Sequence, residues 1–496
     1  MKYVLDQTTW TVNDKYLNPG VLYSYERVCK MRGEKIPRWA IIAVVVIVVI
    51  AIAAGLLLTR PPAPAPAPKK ISFYTWWAGL EAYAIDYLIG NFTKDTGIAV
   101  EKTAVPGGAG VNAKFAIIAL IMAGKPPEAY QVHCGPEMIS YFMAAPNKEK
   151  DFAELTSVGK EIDILATPVG QVCLLAGKLY TIPVNLHRAN LLLMNKDVLD
   201  KYGISPPKTL DELRAACKKL KAAGVPCMVQ AGADLFTVLH FWEQIFLAVA
   251  GPEKFIKFMY GLLDPNDPSI KQATEIFLEL AETFPGDWMA LDWTTATARI
   301  VEGKGAFHCD GDWAVGLIFN VYPGVKMCSI DNITPDCKVI VAPFPGTQGI
   351  YNMVIDAVGV PKGPNVDLGI EFAKYFASRK GQKIFNPYKG SIAAYPDLGK
   401  DIYFIEVQKW EVDEYARSTA QVFSFTHGAL FSDVWDMLLK KAVELAQYKQ
   451  AALDSWYETV KKALELERKL WEQSGLFIGS CEKPFAGVLP PWAKCS

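Results

Sequence analysis

Aromatic and polar side chains that could bind a ligand follow or end two short apolar segments of this chain. The first segment is followed by Trp76, Trp77 and Glu81, and the second contains Gln131 and His133. Between them the sequence predicts a strand–helix–strand–helix–strand order, which is typical of a parallel sheet. In open α/β sheets, ligands bind in the crevice at the strand ends. We therefore expect these side chains to face one crevice.

The residue types at the ends of these apolar segments, and at similar positions along the chain, suit a neutral, polyhydroxylated ligand. Indole faces pack on the apolar C–H face of a pyranose, because the aromatic quadrupole is negative on its face. Carboxylates accept hydrogen bonds from hydroxyls, lysine donates them, and amides do both. Taken singly, each such residue is more often a packing residue, but together they favour a site that reads hydroxyl groups. The candidates are Trp76, Trp77, Glu81, Gln131, His133, Asn185, His187, Trp293, Asp310, Trp313, Asp356, Lys389 and His427.

Other chemistries have weaker support. The glycine-rich loop at residues 106–110 lacks the GxGxxG and GK[ST] patterns, so a nucleotide site is not expected. The pairs Asp310/Asp312 and Glu81/Glu137 could supply the acid and nucleophile of a glycosidase, which is kept as an alternative function. The chain has no GxSxG motif, no CxxC and no cysteine–histidine spacing suited to zinc. We therefore predict neither a cofactor nor a metal.

Length and charge limit the classes of protein to consider. At 496 residues the chain is too long for a single core, so two or more compact units are expected. The net charge is −1 with mixed signs, which gives no electrostatic reason to expect nucleic acid as a partner. Hydrophobic residues make up 51% of the chain, so most of it should be folded.

The N-terminal region predicts a membrane anchor. Residues 41–58 are an unbroken uncharged, apolar run that is long enough to cross a bilayer. More basic residues precede this run than follow it, which places residues 1–40 in the cytoplasm and the C-terminal part outside the cell. The Pro/Ala-rich residues 59–69 should form an extended stalk. We therefore expect a single-pass protein of the cell membrane with an extracellular domain.

Two further expectations concern processing and cysteines. The residues around Gly33 resemble the cleavage site of prepilin-like leaders, so a pilin-like or adhesive surface protein is a second alternative. The chain has ten cysteines. Close spacing outside the cell predicts the disulfides Cys217–Cys227, Cys328–Cys337 and Cys481–Cys495. The pairing of Cys134, Cys173 and Cys309 is left open, with at least one thiol free.

Local patterns predict further elements. Strands are expected at residues 69–75, 99–104, 129–133 and 225–230, and helices at residues 81–96 and 112–123. Thr209 with Glu212 forms a capping-box pattern at the start of a helix. Residues 432–471 are expected to form a long helix or helical pair, broken near Lys449.

Several motifs together resemble the extracellular solute-binding proteins of carbohydrate ABC transporters, in the branch that binds glucose, galactose or mannose. The matching stretches lie at residues 76–81, 105–110, 123–128, 131–135, 182–188, 311–314, 389–392 and 426–428. Their order and spacing match over about 400 residues. The membrane run with its stalk is similar to an archaeal variant of this family.

The resemblance implies a type II, periplasmic-binding-protein-like α/β fold with two lobes that close on the ligand. Lobe 1 would comprise residues 70–184 and 344–395, and lobe 2 residues 185–343 and 396–496. The implied partners are a carbohydrate ligand, the permease subunits of an ABC transporter and the membrane, and no catalysis is expected. The resemblance also implies which residues bind the sugar: Trp76, Trp77, Glu81, Gln131, His133, Glu137, Trp293, Trp313, Asp356, Lys389 and His427. It places Asn185 and His187 at the hinge.

Overall fold

The computed structural model describes residues 37–58 and 69–495. The chain divides into two units, residues 1–67 and 68–496, and each is described here by itself. The predictions for the leader, for processing at Gly33 and for nearly all of the stalk lie outside the described residues.

The first unit contributes one described helix, α1, at Arg38–Leu58. Within α1, the large apolar side chains of residues 41–54 are exposed. Within the two described ranges, we find no helix that combines the length and the apolar character needed to cross a membrane.

The second unit contains twelve described strands and sixteen described helices. The strands are β1 Lys70–Thr75, β2 Ala99–Ala104, β3 Ala129–His133, β4 Thr181–Pro183, β5 His187–Arg188, β6 Leu191–Asn195, β7 Phe307–Asp310, β8 Met327–Ser329, β9 Val339–Pro343, β10 Ile350–Val354, β11 Asp356–Gly359 and β12 Ala420–Phe423. The helices are α2 Tyr83–Thr96, α3 Val111–Met122, α4 Pro136–Ala144, α5 Thr156–Glu161, α6 Pro168–Val172, α7 Lys196–Lys201, α8 Leu210–Ala222, α9 Phe236–Met259, α10 Pro268–Ala281, α11 Trp293–Val301, α12 Trp313–Val321, α13 Val366–Ala377, α14 Arg379–Lys389, α15 Glu406–Arg417, α16 Ser432–Tyr448 and α17 Leu453–Ser474.

The largest sheet has the strand order β2-β1-β3-β11-β4. Its first three strands are parallel, as the strand–helix alternation predicts. Strand β11 runs antiparallel to both β3 and β4. In this register Asp356, at the start of β11, lies opposite His133, at the end of β3. The pairing therefore brings a carboxylate from late in the chain to the strand end where the early candidates lie.

Two further sheets complete the strand framework. One has the order β7-β6-β9-β8 and carries the buried apolar run Leu191–Asn195 at its centre. The other, β12-β10-β5, is small, and its strands β5 and β10 lie just after β4 and just before β11 in sequence. The chain thus leaves and re-enters the largest sheet at β4–β5 and β10–β11.

Aromatic side chains fill the interior around the sheets. Phe372 of α13 packs on Phe73 of β1, with ring centroids 5.0 Å apart. On the helical side, Trp242 of α9 stacks on Phe246 at 5.1 Å and contacts Trp456 of α17 edge-on at 5.0 Å. Helices α9, α16 and α17 thereby form a packed helical layer, whose burial is a main contribution to stability.

The structure agrees with most of the predicted elements. The strands at residues 99–104 and 129–133 are confirmed without change, and the Thr209 capping box is present. The long C-terminal pattern is a pair of helices interrupted at Lys449–Ala452. The strand predicted at residues 225–230 is wrong, because this segment makes only a single bridge, between Met228 and Phe307.

Four disulfides are present among the described residues. The three predicted pairs, Cys217–Cys227, Cys328–Cys337 and Cys481–Cys495, are confirmed. The open question is answered by a bond between Cys134 and Cys173, which leaves Cys309 as a buried free thiol.

Candidate ligand-binding site

A cavity of about 350 Å³ lies beside the ends of β1 and β3 and the start of β11. Its wall also includes the first residues of α11 and α12 and the last residue of α14. Ten of the residues singled out from the sequence line it: Trp76, Trp77, Glu81, His133, His187, Trp293, Trp313, Asp356, Lys389 and His427.

Local backbone features allow the tryptophans to reach the cavity. Gly110 has φ +78°, and a Cβ there would come within 2.5 Å of the Trp76 ring. Only glycine therefore permits this close approach. Trp293 follows Asp292, whose side chain accepts a hydrogen bond from the Thr295 N–H and caps α11. Trp293 is thus fixed at the first position of its helix.

Indole and imidazole rings contact each other around the cavity. Trp76 lies 4.9 Å from the His133 ring, measured between centroids. Trp313 lies 4.9 Å from His427 and 5.5 Å from His187. These contacts fix the orientation of the indole faces, which can then pack on apolar faces of a ligand.

Asp356 is held in the cavity wall by two amide side chains and a histidine. Gln131 Nε2 donates to it at 3.0 Å and Asn185 Nδ2 at 2.8 Å, and His187 Nε2 lies 3.3 Å away. Burial alone would raise the pKa of Asp356, but the polar contact with His187 and the charges of His187, His133 and Lys389 outweigh it. The pKa therefore lies well below its usual range, and the side chain is ionised.

His187 lies between two carboxylates. Its Nδ1 hydrogen-bonds to Asp312, which also accepts from the Arg188 backbone N–H at 3.0 Å. Burial disfavours the imidazolium, but the charge of Asp312, the hydrogen bond to Asp312 and the contact with Asp356 outweigh it and raise the pKa of His187. His187 therefore lies between two acids that both favour its protonated form.

Glu81 and Lys389 place opposite charges in the same cavity. Glu81 is partly exposed, yet desolvation within the cleft raises its pKa to about 7, although Lys389 acts in the other direction. Lys389 is buried, and its Nζ lies 5.7 Å from the centroid of the Trp77 ring. The cavity thus combines donor and acceptor groups with apolar surfaces.

Three predicted site residues lie behind the cavity wall. Gln131 accepts a hydrogen bond from Thr75 Oγ1 and donates to Asp356, and Asn185 also donates to Asp356. Glu137 accepts from His133 Nδ1 at 2.8 Å and pairs with Lys114 at 2.9 Å. These side chains orient Asp356 and His133.

The sequence analysis missed several lining residues. Asp234 and Phe236 come from the start of α9, and Asp292 and Thr294 flank Trp293. A signal for Asp292 existed, because an aspartate before a helical pattern predicts an N-cap and thus the position of the tryptophan after it. No local sequence pattern predicts that the start of α9 lies at the cavity, because its position depends on long-range packing.

The carboxylate pairs of the glycosidase alternative are not assembled in this cavity. Asp310 pairs with His308 at 3.0 Å, and Asp312 bonds His187. Glu81 lines the cavity but Glu137 does not. Neither pair therefore brings both carboxyl groups to one bound substrate.

One group of possible metal ligands exists among the described residues. His240, Glu243 and His427 are buried and offer ligand atoms within 4.8 Å of one another. Both Glu243 oxygens already accept hydrogen bonds, from Asn352, Ser424 and the Thr426 N–H. The contacts that the structure shows are those of a hydrogen-bond network, and the absence of a metal stays a prediction.

The fold and the lined cavity are typical of a protein that binds a small ligand. The family model for the bacterial extracellular solute-binding proteins matches residues 77–383. The glucose-binding protein GlcS of Saccharolobus solfataricus is 32% identical over 442 residues, covering 85% of this chain and 79% of that protein. The xylose/arabinose-binding protein XacG of Haloferax volcanii is 26% identical over 60% of this chain and 62% of its own length.

Solved structures agree on the fold. A chitin oligosaccharide binding protein superposes with a TM-score of 0.67 at 18% identity, over 81% of this chain and 99% of its own. The solute receptor AcbH gives a TM-score of 0.66 at 16% identity, over 81% of this chain and 100% of its own. The chain belongs to the bacterial extracellular solute-binding protein family and has its two-lobe α/β fold. It is a binding protein and not an enzyme.

Proposed function

We propose that this chain is the sugar-binding receptor of an ABC transporter. It captures a monosaccharide of the glucose, galactose or mannose type, or a small oligosaccharide, and delivers it to the permease subunits. The observation that carries the proposal is the lining of one cavity by tryptophans, carboxylates, histidines and a buried lysine. This combination matches the apolar C–H faces and the hydroxyl groups of a pyranose.

The size of the cavity favours the smaller ligands. Its volume of about 350 Å³ lies at the lower end of the roughly 300–1,000 Å³ that ligand pockets span. A relative that is 32% identical over most of both chains is named as glucose-binding, which supports a hexose. Buried polar groups that read hydroxyls would discriminate strongly against deoxy analogues.

Lobe closure is the proposed signal to the permease. We place lobe 1 at residues 70–184 and 344–395, and lobe 2 at residues 185–343 and 396–496. The β4–β5 connection, where the chain passes between sheets, supports the boundary at residues 184/185. The β10–β11 connection, at residue 355, lies later in the chain than the proposed boundary at residues 343/344. His187 and Asp356, which lie beside these two connections and contact each other, would then move relative to each other little during closure.

We also propose that residues 41–58 tether the receptor to the cell membrane, with residues 59–69 as a stalk and the binding unit outside the cell. The support is the uninterrupted apolar sequence and its basic N-terminal flank. Extraction of membranes with alkaline carbonate tests this, since an integral span stays in the pellet. The full chain should remain there, whereas a variant lacking residues 41–58 should be released. Release of the full chain would contradict the tether.

Isothermal titration calorimetry of the full chain against monosaccharides tests the sugar-binding proposal. If detergent is needed, it should have no sugar headgroup. Heat of binding for at least one hexose at a 1:1 ratio is expected. These titrations also test the adhesive alternative, because an adhesive protein would show no affinity for a monosaccharide. Incubation with a disaccharide tests the glycosidase alternative, because a glycosidase would release product.

A further inference from the structure

A buried hydrogen-bond chain lies behind His427. Glu243, on α9, is fully buried, and its Oε1 accepts a hydrogen bond from Asn352 Nδ2 at 2.7 Å. Its Oε2 accepts from the Thr426 N–H at 3.0 Å and from Ser424 Oγ at 3.1 Å. Burial raises the pKa of Glu243 to about 7, although the hydrogen bonds from these donors act in the other direction. At pH 8 the side chain is therefore mainly a carboxylate that accepts three hydrogen bonds.

Ser424 connects this carboxylate to the imidazole. Its Oγ lies 2.9 Å from His427 Nδ1. A serine hydroxyl has one proton, and an ionised carboxylate can only accept. Ser424 therefore donates to Glu243 and must accept from the imidazole, so Nδ1 of His427 carries the hydrogen.

The other nitrogen of His427 is left as a bare acceptor. Burial lowers the pKa of His427 well below its usual value, so the ring is neutral and carries one proton only. Nε2 is buried and has no hydrogen-bond partner among the described residues, while the ring lines the cavity. His240 approaches the same ring edge-on, with centroids 5.2 Å apart, and makes no hydrogen bond with it. A buried acceptor without a donor costs about 1–3 kcal/mol, which a donor from a ligand would recover.

We propose that Ser424, held by Glu243, fixes His427 as the Nδ1–H tautomer, so that Nε2 accepts a hydrogen bond from one hydroxyl of the bound sugar. Ser424 and Glu243 are positioning residues. They determine specificity because His427 Nε2, without a hydrogen, can bond only to a hydrogen-bond donor of the ligand. The inference rests on the proposed sugar-binding function for its ligand, but not for its tautomer.

The tautomer is measurable without any ligand. Long-range ¹H–¹⁵N correlation spectra of the full chain at pH 8, after dialysis against a chelator, distinguish protonated from unprotonated ring nitrogens. Five histidines give few signals, and the His427→Asn variant assigns the one in question. We expect protonated Nδ1 and bare Nε2 in the wild type, and a shift towards protonated Nε2 in Ser424→Ala. Protonated Nε2 in the wild type would overturn the proposal, whether or not Ser424→Ala folds.

Deoxyfluoro sugars test the contact itself, because fluorine cannot donate a hydrogen bond. Calorimetry with each monofluoro derivative of the bound hexose should show one position where fluorine costs more than about tenfold in the wild type. In Ser424→Ala this penalty should fall at least about threefold, and Ser424→Thr should restore it. The proposal would be overturned if, at every sugar position, fluorine cost the wild type and Ser424→Ala the same loss of affinity.

A matched control separates this role from general packing. Ser269 is also buried and bonds a carboxylate, that of Asp267 at 2.6 Å, away from the cavity. Ser269→Ala should leave both the tautomer and the fluorine penalties unchanged. If no sugar binds at all, the proposed function fails, and the spectra still decide the tautomer.

Discussion

At the scale of single residues, Asp356 is held by side chains from two other parts of the chain. It accepts from Gln131 and Asn185 and lies beside His187, so its carboxylate is ionised and fixed before a ligand arrives. Glu81 differs, because it is partly exposed and its pKa is raised to about 7. Of these two acids, Asp356 therefore stays ionised, whereas Glu81 titrates near neutral pH.

Glu81 should make ligand affinity depend on pH. If a sugar hydroxyl donates to its carboxylate, binding favours the ionised form and releases protons near pH 7. Affinity should then fall by up to about tenfold between pH 8 and pH 6. Calorimetry in buffers of different ionisation enthalpy measures both quantities. Glu81→Gln should remove this part of the proton release; identical release in the variant and the wild type would exclude Glu81 from the ligand.

Glu81→Gln should lower the affinity for the ligand but should not lower the stability of the ligand-free protein. Because the folded state raises the pKa of Glu81, its contribution to stability is lost as the pH rises through about 7. Glu81→Gln removes a charge that the cleft disfavours. The melting temperature of the ligand-free variant at pH 8 should therefore equal or exceed that of the wild type, while its affinity is lower. A lower melting temperature at pH 8 would show that ionised Glu81 is stabilising.

Most of the residues predicted from the sequence line the cavity, but their separate roles could not be assigned from the sequence. Residue type alone did not distinguish Trp76, which lines the cavity, from Gln131, which supports Asp356 from behind. Trp76 follows β1 and Gln131 lies within the neighbouring strand β3, so the difference between their roles depends on long-range packing. Asp356 and His133 are far apart in sequence, so their pairing follows from sheet register, which local patterns do not contain.

At the scale of elements, short connecting turns decide where the ligand-facing groups lie. The turn Phe425–Ala429 presents His427 and depends on Gly428, which has φ +96°. A Cβ at Gly428 would come within 2.4 Å of the His133 Cβ. The turn therefore packs directly against the end of β3.

Gly428→Ala should consequently weaken sugar binding by more than about tenfold, because the turn and His133 must separate. Gly475→Ala is a matched control, since Gly475 also has a positive φ, of +65°, but open space around its Cβ position. The control should lose only the backbone cost of about 1–3 kcal/mol in stability. Calorimetry and thermal melts compare the two; equal affinities would contradict the account of this turn.

Local elements were predictable where their signals are local. The capping box at Thr209 and the break at Lys449 depend on a few neighbouring residues, and both are present. The strand expected at residues 225–230 failed because an apolar run of that length does not specify pairing. This segment is buried beside β7 and forms one bridge.

At the scale of the whole molecule, two lobes are expected to close on the cavity. The largest sheet contributes Trp76, His133 and Asp356, while α11 and α12 contribute Trp293 and Trp313. A ligand that touches both sets would favour the closed state by its differential affinity for that state. Removal of one wall should therefore reduce affinity without abolishing the fold.

Calorimetry on Trp313→Ala tests the central claim most directly. The wild type should bind glucose, galactose or mannose in preference to a set of disaccharides, and Trp313→Ala should lose more than about tenfold in affinity, or about 1.4 kcal/mol. Trp410→Ala is the control, because Trp410 is equally buried, at 8% exposure, and does not line the cavity. The account predicts a loss of affinity in Trp313→Ala alone. Absence of heat with every sugar, or equal affinities in both variants, would contradict it.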